Sequence, residues 1–158
     1  MYYYFTKEGF NALNAEIGTI CDRIKEAGRE MGISCQEGAE TFHDNFAYEQ
    51  GERDQTMWSN RLRQLVKIRN QVRVVDPGQS RGKVSLGRTV TIRDLSSEKE
   101  RTFRIGSYMV LGSASESGVE VLSYDAPLPK ALIGAREGET RVAHFGGRNH
   151  HLEVVKVE

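Results

Sequence analysis

Between Glu37 and Asp54 the chain carries six carboxylates (Glu37, Glu40, Asp44, Glu49, Glu52, Asp54) against one base, Arg53. Carboxylate oxygens are hard ligands. One or two of them suit Mg²⁺, which keeps several waters and draws its other ligands from substrate phosphates. Such a set alone in solution is expected to hold Mg²⁺ weakly, because the remaining ligands are missing. The plainer role for the same acids is to keep a loop in water. Gly38, Thr41, Asn45 and Gly51 lie among them. These residue types favour turns, caps or loose backbone, so the stretch reads as the tip of a helical hairpin.

Other groups with reactive side chains are less suggestive. His43 adjoins Asp44 as one imidazole beside one acid. His144, His150 and His151 fall on predicted β-hairpin positions without a Cys partner or helical ligand spacing, so structural or solvent-facing roles are expected for them. The sequence contains no glycine-rich phosphate loop, nucleophile elbow or zinc-finger spacing. Cys21 and Cys35 are too far apart for a CxxC motif and too few for a disulfide framework, which suits a reduced chain.

The elements that must position the acids are legible from periodicity. Thr6 is a candidate N-cap. After it, Phe10, Leu13, Ile17, Ile20, Ile24, Ala27 and Met31 alternate steps of three and four, the seam of a coiled coil. Gly28 and Gly32 weaken its last turns, so an end near Gly32 is expected. Asp44 or Asn45 can cap a second helix, whose looser seam takes Tyr48, Trp58, Leu62, Leu65 and Val72 and stops at Pro77–Gly78. Two such helices joined by a short turn pack antiparallel, because each buries its stripe on the other. About 27 residues at the helical rise make a rod of roughly 40 Å.

From Gln79 the texture changes. Short β-rich runs at 88–94, 101–105, 119–123, 140–145 and 152–157 alternate with turn residues, and 126–133 reads as one short helix. The expected fold is α+β: an antiparallel two-helix coiled coil with an acidic tip over 1–76, then a small antiparallel sheet domain with one helix over 77–158.

The charges are balanced, 22 basic against 22 acidic, but unevenly placed. Between Arg61 and Arg93 stand nine Lys/Arg and one acid, Asp76. Arg61, Arg63, Lys67, Arg69 and Arg73 are candidates for holding nucleic-acid phosphates without sequence preference, unless they are only the solvated flank of a coiled coil. Phe46 and Tyr48 are candidates for stacking on a base or for closing the hairpin end. No window approaches a membrane span and no signal-peptide pattern opens the chain, so a cytoplasmic protein without a membrane partner is expected.

Three stretches carry a resemblance that covers essentially the whole chain. They are Thr6, Gly9 and Leu13; then Asp44, Asn45 and Tyr48; then Pro127, Ala131, Leu132, Ile133, Gly134 and Gly138, with Gly146, Gly147 and Val154–Val157. The chain thereby resembles the bacterial Gre transcript-cleavage factors, which are GreA/GreB-like. The resemblance implies an FKBP-like C-terminal domain that binds RNA polymerase, here through Pro127, Leu132, Ile133 and Gly134. It implies a monomer whose hairpin enters the secondary channel of the polymerase and activates cleavage of backtracked RNA, meeting the nascent RNA 3′ end.

On that reading the chain is not itself an enzyme. Asp44, supported by Glu40, would act in trans at the polymerase site, where the two share a Mg²⁺ that the chain does not bind stably alone. Arg61, Arg63, Lys67 and Arg69 would hold the extruded RNA. The chain departs from the family pattern at Thr41, which stands where a second acid is usual, and at Ala47, also usually acidic. Two other outcomes therefore stay open: a Gre-like factor that occludes the channel, and an FKBP-like peptide-binding module with a coiled-coil handle.

Overall fold

A computed structural model describes residues 1–37, 46–79, 82–110 and 118–158. They form two compact units, Leu13–Gln71 and Met1–Ala12 with Val72–Glu158.

The helical unit is built from α1 (Lys7–Glu37), whose first turns belong to the other unit, and α2 (Phe46–Arg69). Leu13, Ile20 and Ala27 are buried along the predicted seam of α1, and Leu65 is buried on α2. Glycine does not stop α1, which runs through Gly28 and Gly32 to Glu37. The seam continues past Gly28 to Met31, and packing of Ala27 and Met31 offsets the roughly 1 kcal/mol that a mid-helix glycine costs. On α2, Gly51 is no turn residue. It is buried in the helix, and a Cβ there would stand 2.5 Å from Met31 Cγ. Its missing side chain is what lets the two helices close.

The second helix ends earlier than its seam suggests. Val72, expected to be helical, opens strand β2 (Val72–Val74), which pairs in parallel with β1 (Tyr3–Phe5). Asn70 and Gln71 turn the chain, and the Val-rich run after them suits an extended backbone better than a helix.

The sheet unit carries a five-stranded sheet in the order β5-β4-β3-β7-β6. Its strands are β3 (Thr89–Asp94), β4 (Glu100–Gly106), β5 (Glu120–Ser123), β6 (Thr140–Phe145) and β7 (Arg148–Val157). The sheet is mixed where an antiparallel one was expected, because β5 runs parallel to β4. A parallel neighbour requires a crossover of about a dozen residues, and residues 107–119 supply that length between the two strands. Helix α3 (Pro127–Leu132) contributes Leu128 and Leu132 to a core that holds Val90, Ile92, Phe103, Ile105, Leu152 and Val154. Among the described residues no helix is long and apolar enough to cross a membrane.

Candidate functional site

The register of the hairpin bears directly on its tip. The Arg23 guanidinium lies 4.5 Å from the centroid of the Trp58 ring, Gly28 stands beside Gln55, and Gly51 closes on Met31 and Ala27. Each step toward the C-terminus of α1 is matched by a step back toward the start of α2, as an antiparallel pair requires. The tip candidates Glu40 and Asp44, together with Thr41, His43 and Asn45, lie outside the described residues.

Three of the six carboxylates fall on α2. Glu49 is paired with Arg53 at 3.1 Å, and Asp54 accepts a hydrogen bond from Gln50 at 2.8 Å. Glu52 is exposed. Glu49 and Asp54 therefore act first on their own neighbours, four residues along the same helix.

The basic candidates divide. Arg61, Arg63, Lys67 and Arg69 all sit on α2, and none has an ion-pair partner among the described residues. Arg63 and Lys67 lie within about 40° of each other around the helix axis, and Arg61 and Arg69 form a second pair on another side. They do not make one face. Arg73 leaves the set altogether, since it stands on β2 in the sheet unit, 4.4 Å from the centroid of the Tyr2 ring. Phe46 is 70 % exposed at the start of α2.

In the sheet unit the partner candidates are part of a tight local architecture. Pro127 occupies the first turn of α3, where its fixed φ is already helical and its missing N–H is not needed. Leu132 is fully buried and anchors the helix on the sheet, while Pro127 and Ile133 face solvent. Gly134 takes φ +85°, and its N–H donates to Val84 O at 2.8 Å; Val84 N–H in turn donates to Ala135 O at 2.8 Å. Gly146 and Gly147, at φ +60° and +74°, form the two-residue turn between Phe145 and Arg148. Positive φ at both positions matches the twist of the flanking strands. Most of this stretch makes the fold, leaving Pro127, Ile133 and Gly134 at the surface.

Thr6 and Gly9 have a geometric reason for their spacing. Thr6 Oγ1 accepts from Gly9 N–H at 3.0 Å and so caps α1. Buried Ser107 donates or accepts toward the same hydroxyl at 3.4 Å, and its Oγ accepts from Thr6 N–H at 3.0 Å. A Cβ on Gly9 would lie 2.1 Å from Ser107 Oγ, so only glycine admits the serine. Nothing in the spacing of the sequence marks Ser107.

His144 Nδ1 meets Asn149 Oδ1 at 2.8 Å, and His150 Nδ1 meets Asp94 Oδ2 at 3.0 Å. The His150 ring also stacks on Phe145, 3.9 Å between centroids. The hydrogen bond from His150 is the main cause holding the Asp94 carboxyl below the usual carboxylate range, with the backbone N–H of Ser96 adding to it.

Residues 79–158 match the family model described as "Transcription elongation factor, GreA/GreB, C-term". The transcription elongation factor GreA of Cereibacter sphaeroides is 31 % identical over 154 residues, covering 96 % of this chain and 97 % of the relative. The factor of the same name from Bacillus cytotoxicus is 30 % identical over 161 residues, 99 % and 96 % of the two chains. A crystal structure of GreA factor homolog 1 (Gfh1) from Thermus thermophilus aligns with 100 % of this chain and 99 % of its own at 19 % identity and a TM-score of 0.45. By the family model and its relatives, the chain belongs to the GreA/GreB family of transcription elongation factors.

Proposed function

We propose that this chain binds RNA polymerase as a monomer, enters the secondary channel with its helical hairpin and stimulates cleavage of backtracked nascent RNA. It is an accessory factor, and the nuclease site belongs to the polymerase. The observation that carries the reading is family membership along the whole chain, with Asp44 and Glu40 between the end of α1 and the start of α2.

The fit to Mg²⁺ rests on donor chemistry, since Asp44 and Glu40 offer only hard oxygen ligands. A Mg²⁺ shared with the polymerase would supply Lewis-acid chemistry at a phosphoryl oxygen. Asp44 would help to hold it, and Glu40 would support Asp44 or orient the water. Arg61, Arg63, Lys67 and Arg69, without an ion pair among the described residues, hold phosphates of the extruded RNA 3′ segment. Pro127, Ile133 and Gly134 face the polymerase, and Leu132 keeps them in place from the core.

Thr41 and Ala47 favour a second reading, in which the tip occupies the channel without promoting cleavage. A transcript-release assay on stalled complexes separates the two. Asp44→Ala is expected to lower cleavage by at least about tenfold, a loss typical of removing one group that acts in the transition state, with polymerase binding retained. Glu40→Ala has the smaller effect. Cleavage that is unchanged in both variants removes the metal-delivery role, and suppression of cleavage by the wild-type chain establishes occlusion.

A further inference from the structure

Of the chain's six tyrosines, Tyr48 alone lies in the helical unit. Tyr2, Tyr3, Tyr4, Tyr108 and Tyr124 gather in the sheet unit around β1. The Tyr3 and Tyr108 rings pack at 4.3 Å between centroids, and Tyr124 meets Tyr4 edge-on at 6.0 Å and Tyr108 at 6.4 Å. The Tyr124 hydroxyl also accepts from Tyr4 N–H at 3.3 Å, and burial pushes that phenol above its usual range. Phe5 is fully buried beneath. The cluster is therefore a fixed platform, held by β1, β2 and the segments after β4 and β5.

Its outer side has no cover among the described residues. Tyr2 is 55 % exposed and Tyr4 45 %, with Val74 on β2 at 54 %. Arg73, registered opposite Tyr4, lays its guanidinium on Tyr2 and makes no ion pair among the described residues. Lys7, two residues after Phe5, is exposed and likewise unpaired. The neighbouring acids are engaged: Glu8 by Arg104, Asp125 by Lys130, and Asp76 by the N–H of Gly78. What remains among the described residues is a rigid set of rings beside two cations, Arg73 and Lys7, that make no ion pair there. Tyr and Arg on a preorganised surface are the residues that carry most binding energy in protein interfaces.

We propose that the Tyr2–Tyr4–Arg73 face docks an acidic, apolar protein segment. The proposal rests on the function given above, and the segment belongs to RNA polymerase. A protein segment fits better than RNA because Arg73 already lies on the Tyr2 ring and Tyr3 is packed on Tyr108, which leaves fewer open ring faces for bases to stack on.

The test is titration of the full chain against core RNA polymerase at several salt concentrations, with Arg73→Glu, Tyr2→Ser and Asp44→Ala compared with wild type. Arg73 and Tyr2 are peripheral, so melting temperatures are expected to stay unchanged. Arg73→Glu should weaken binding on the order of tenfold and flatten its salt dependence, and Tyr2→Ser should weaken it about fivefold. Wild-type binding with both variants indistinguishable from it overturns the docking face and leaves the proposed function standing. Cleavage unaltered by Asp44→Ala, with binding still sensitive at Arg73, removes the metal-delivery role and keeps the face. A wild-type chain that does not bind polymerase, or variants that lose single-stranded RNA binding instead, overturns the face.

Discussion

The two units of this chain are stabilised in different ways. In the sheet unit a cluster of twelve residues is buried from several directions, by β3, β4, β7, α3 and the segment around Val84. Among the described residues of the helical unit burial is confined to a stripe about one residue wide, Leu13, Ile20 and Ala27 on α1 with Leu65 and Gly51 on α2. The match to the family model falls inside the first unit, and the carboxylates expected to do the chemistry belong to the second. Closed packing makes the sheet unit recognisable from sequence, because many positions constrain one another. The hairpin is constrained mainly in its register, which leaves its flanks free to vary while fixing how far each helix runs.

That contrast is tested most strongly by one deletion in each unit. Phe103→Ala removes a fully buried ring from the sheet core, and about 3–5 kcal/mol should be lost. Leu65→Ala in the hairpin should cost less, about 2–3 kcal/mol, because a two-helix seam collapses around a void more easily than a closed core. Denaturant midpoints measure the difference, and amide exchange shows where it falls. Phe103→Ala should lower protection in the sheet strands, and Leu65→Ala should do so along α1 and α2. Equal losses of protection throughout the chain would mean that the units unfold together and that the contrast has no energetic content.

A second substitution probes the start of α1. Gly9→Ala places a methyl 2.1 Å from Ser107 Oγ and 2.9 Å from its Cβ. Overpacking of a buried contact of this kind costs about 2–3 kcal/mol. Adding Ser107→Gly removes both clashing atoms but also the hydroxyl that Thr6 uses, so roughly half the loss should return. A single variant as stable as wild type in thermal melts would show that the helix end shifts freely and that glycine is not required there.

Much of this architecture is legible in the sequence, and the illegible parts have physical causes. The Phe10–Met31 seam and the Thr6 cap follow from local rules of spacing, and the structure reproduces both. The end of α2 does not, because Val72 fits a helical seam and a strand equally well. The choice is made by Tyr3–Phe5, nearly seventy residues away in sequence. The parallel placement of β5 is likewise a long-range outcome. Ser107 and the tyrosine platform carry no spacing signal, since their partners come from three separate segments. At the candidate site, the acids and bases are visible as composition. That Glu49 and Asp54 are engaged on their own helix, and that Arg73 belongs to the other unit, depends on where α2 begins and ends.

The smallest expected effect compares two carboxylates shifted in the same direction, one in each unit. Asp94 is held below its usual range first by His150 and then by Ser96 N–H, while Glu26 on α1 is lowered chiefly by its hydrogen bond with Arg29. In both cases folding favours the ionised form. Its contribution is complete above the ordinary carboxylate pKa of about 4 and disappears as pH falls through the lower folded-state value. The two differ in setting. Asp94 bonds a half-buried imidazole across strands and fixes the β3–β4 turn, whereas Glu26 and Arg29 lie three residues apart on an exposed helix face in water. Solvent screening leaves little of the second. Asp94→Asn should therefore be less stable than wild type near neutral pH, with a gap that narrows steadily below about pH 4. Glu26→Gln should track wild type closely over the same range. Denaturant midpoints measured across that range check both, and an Asp94→Asn curve parallel to wild type would mean that the imidazole contact does not favour the carboxylate form.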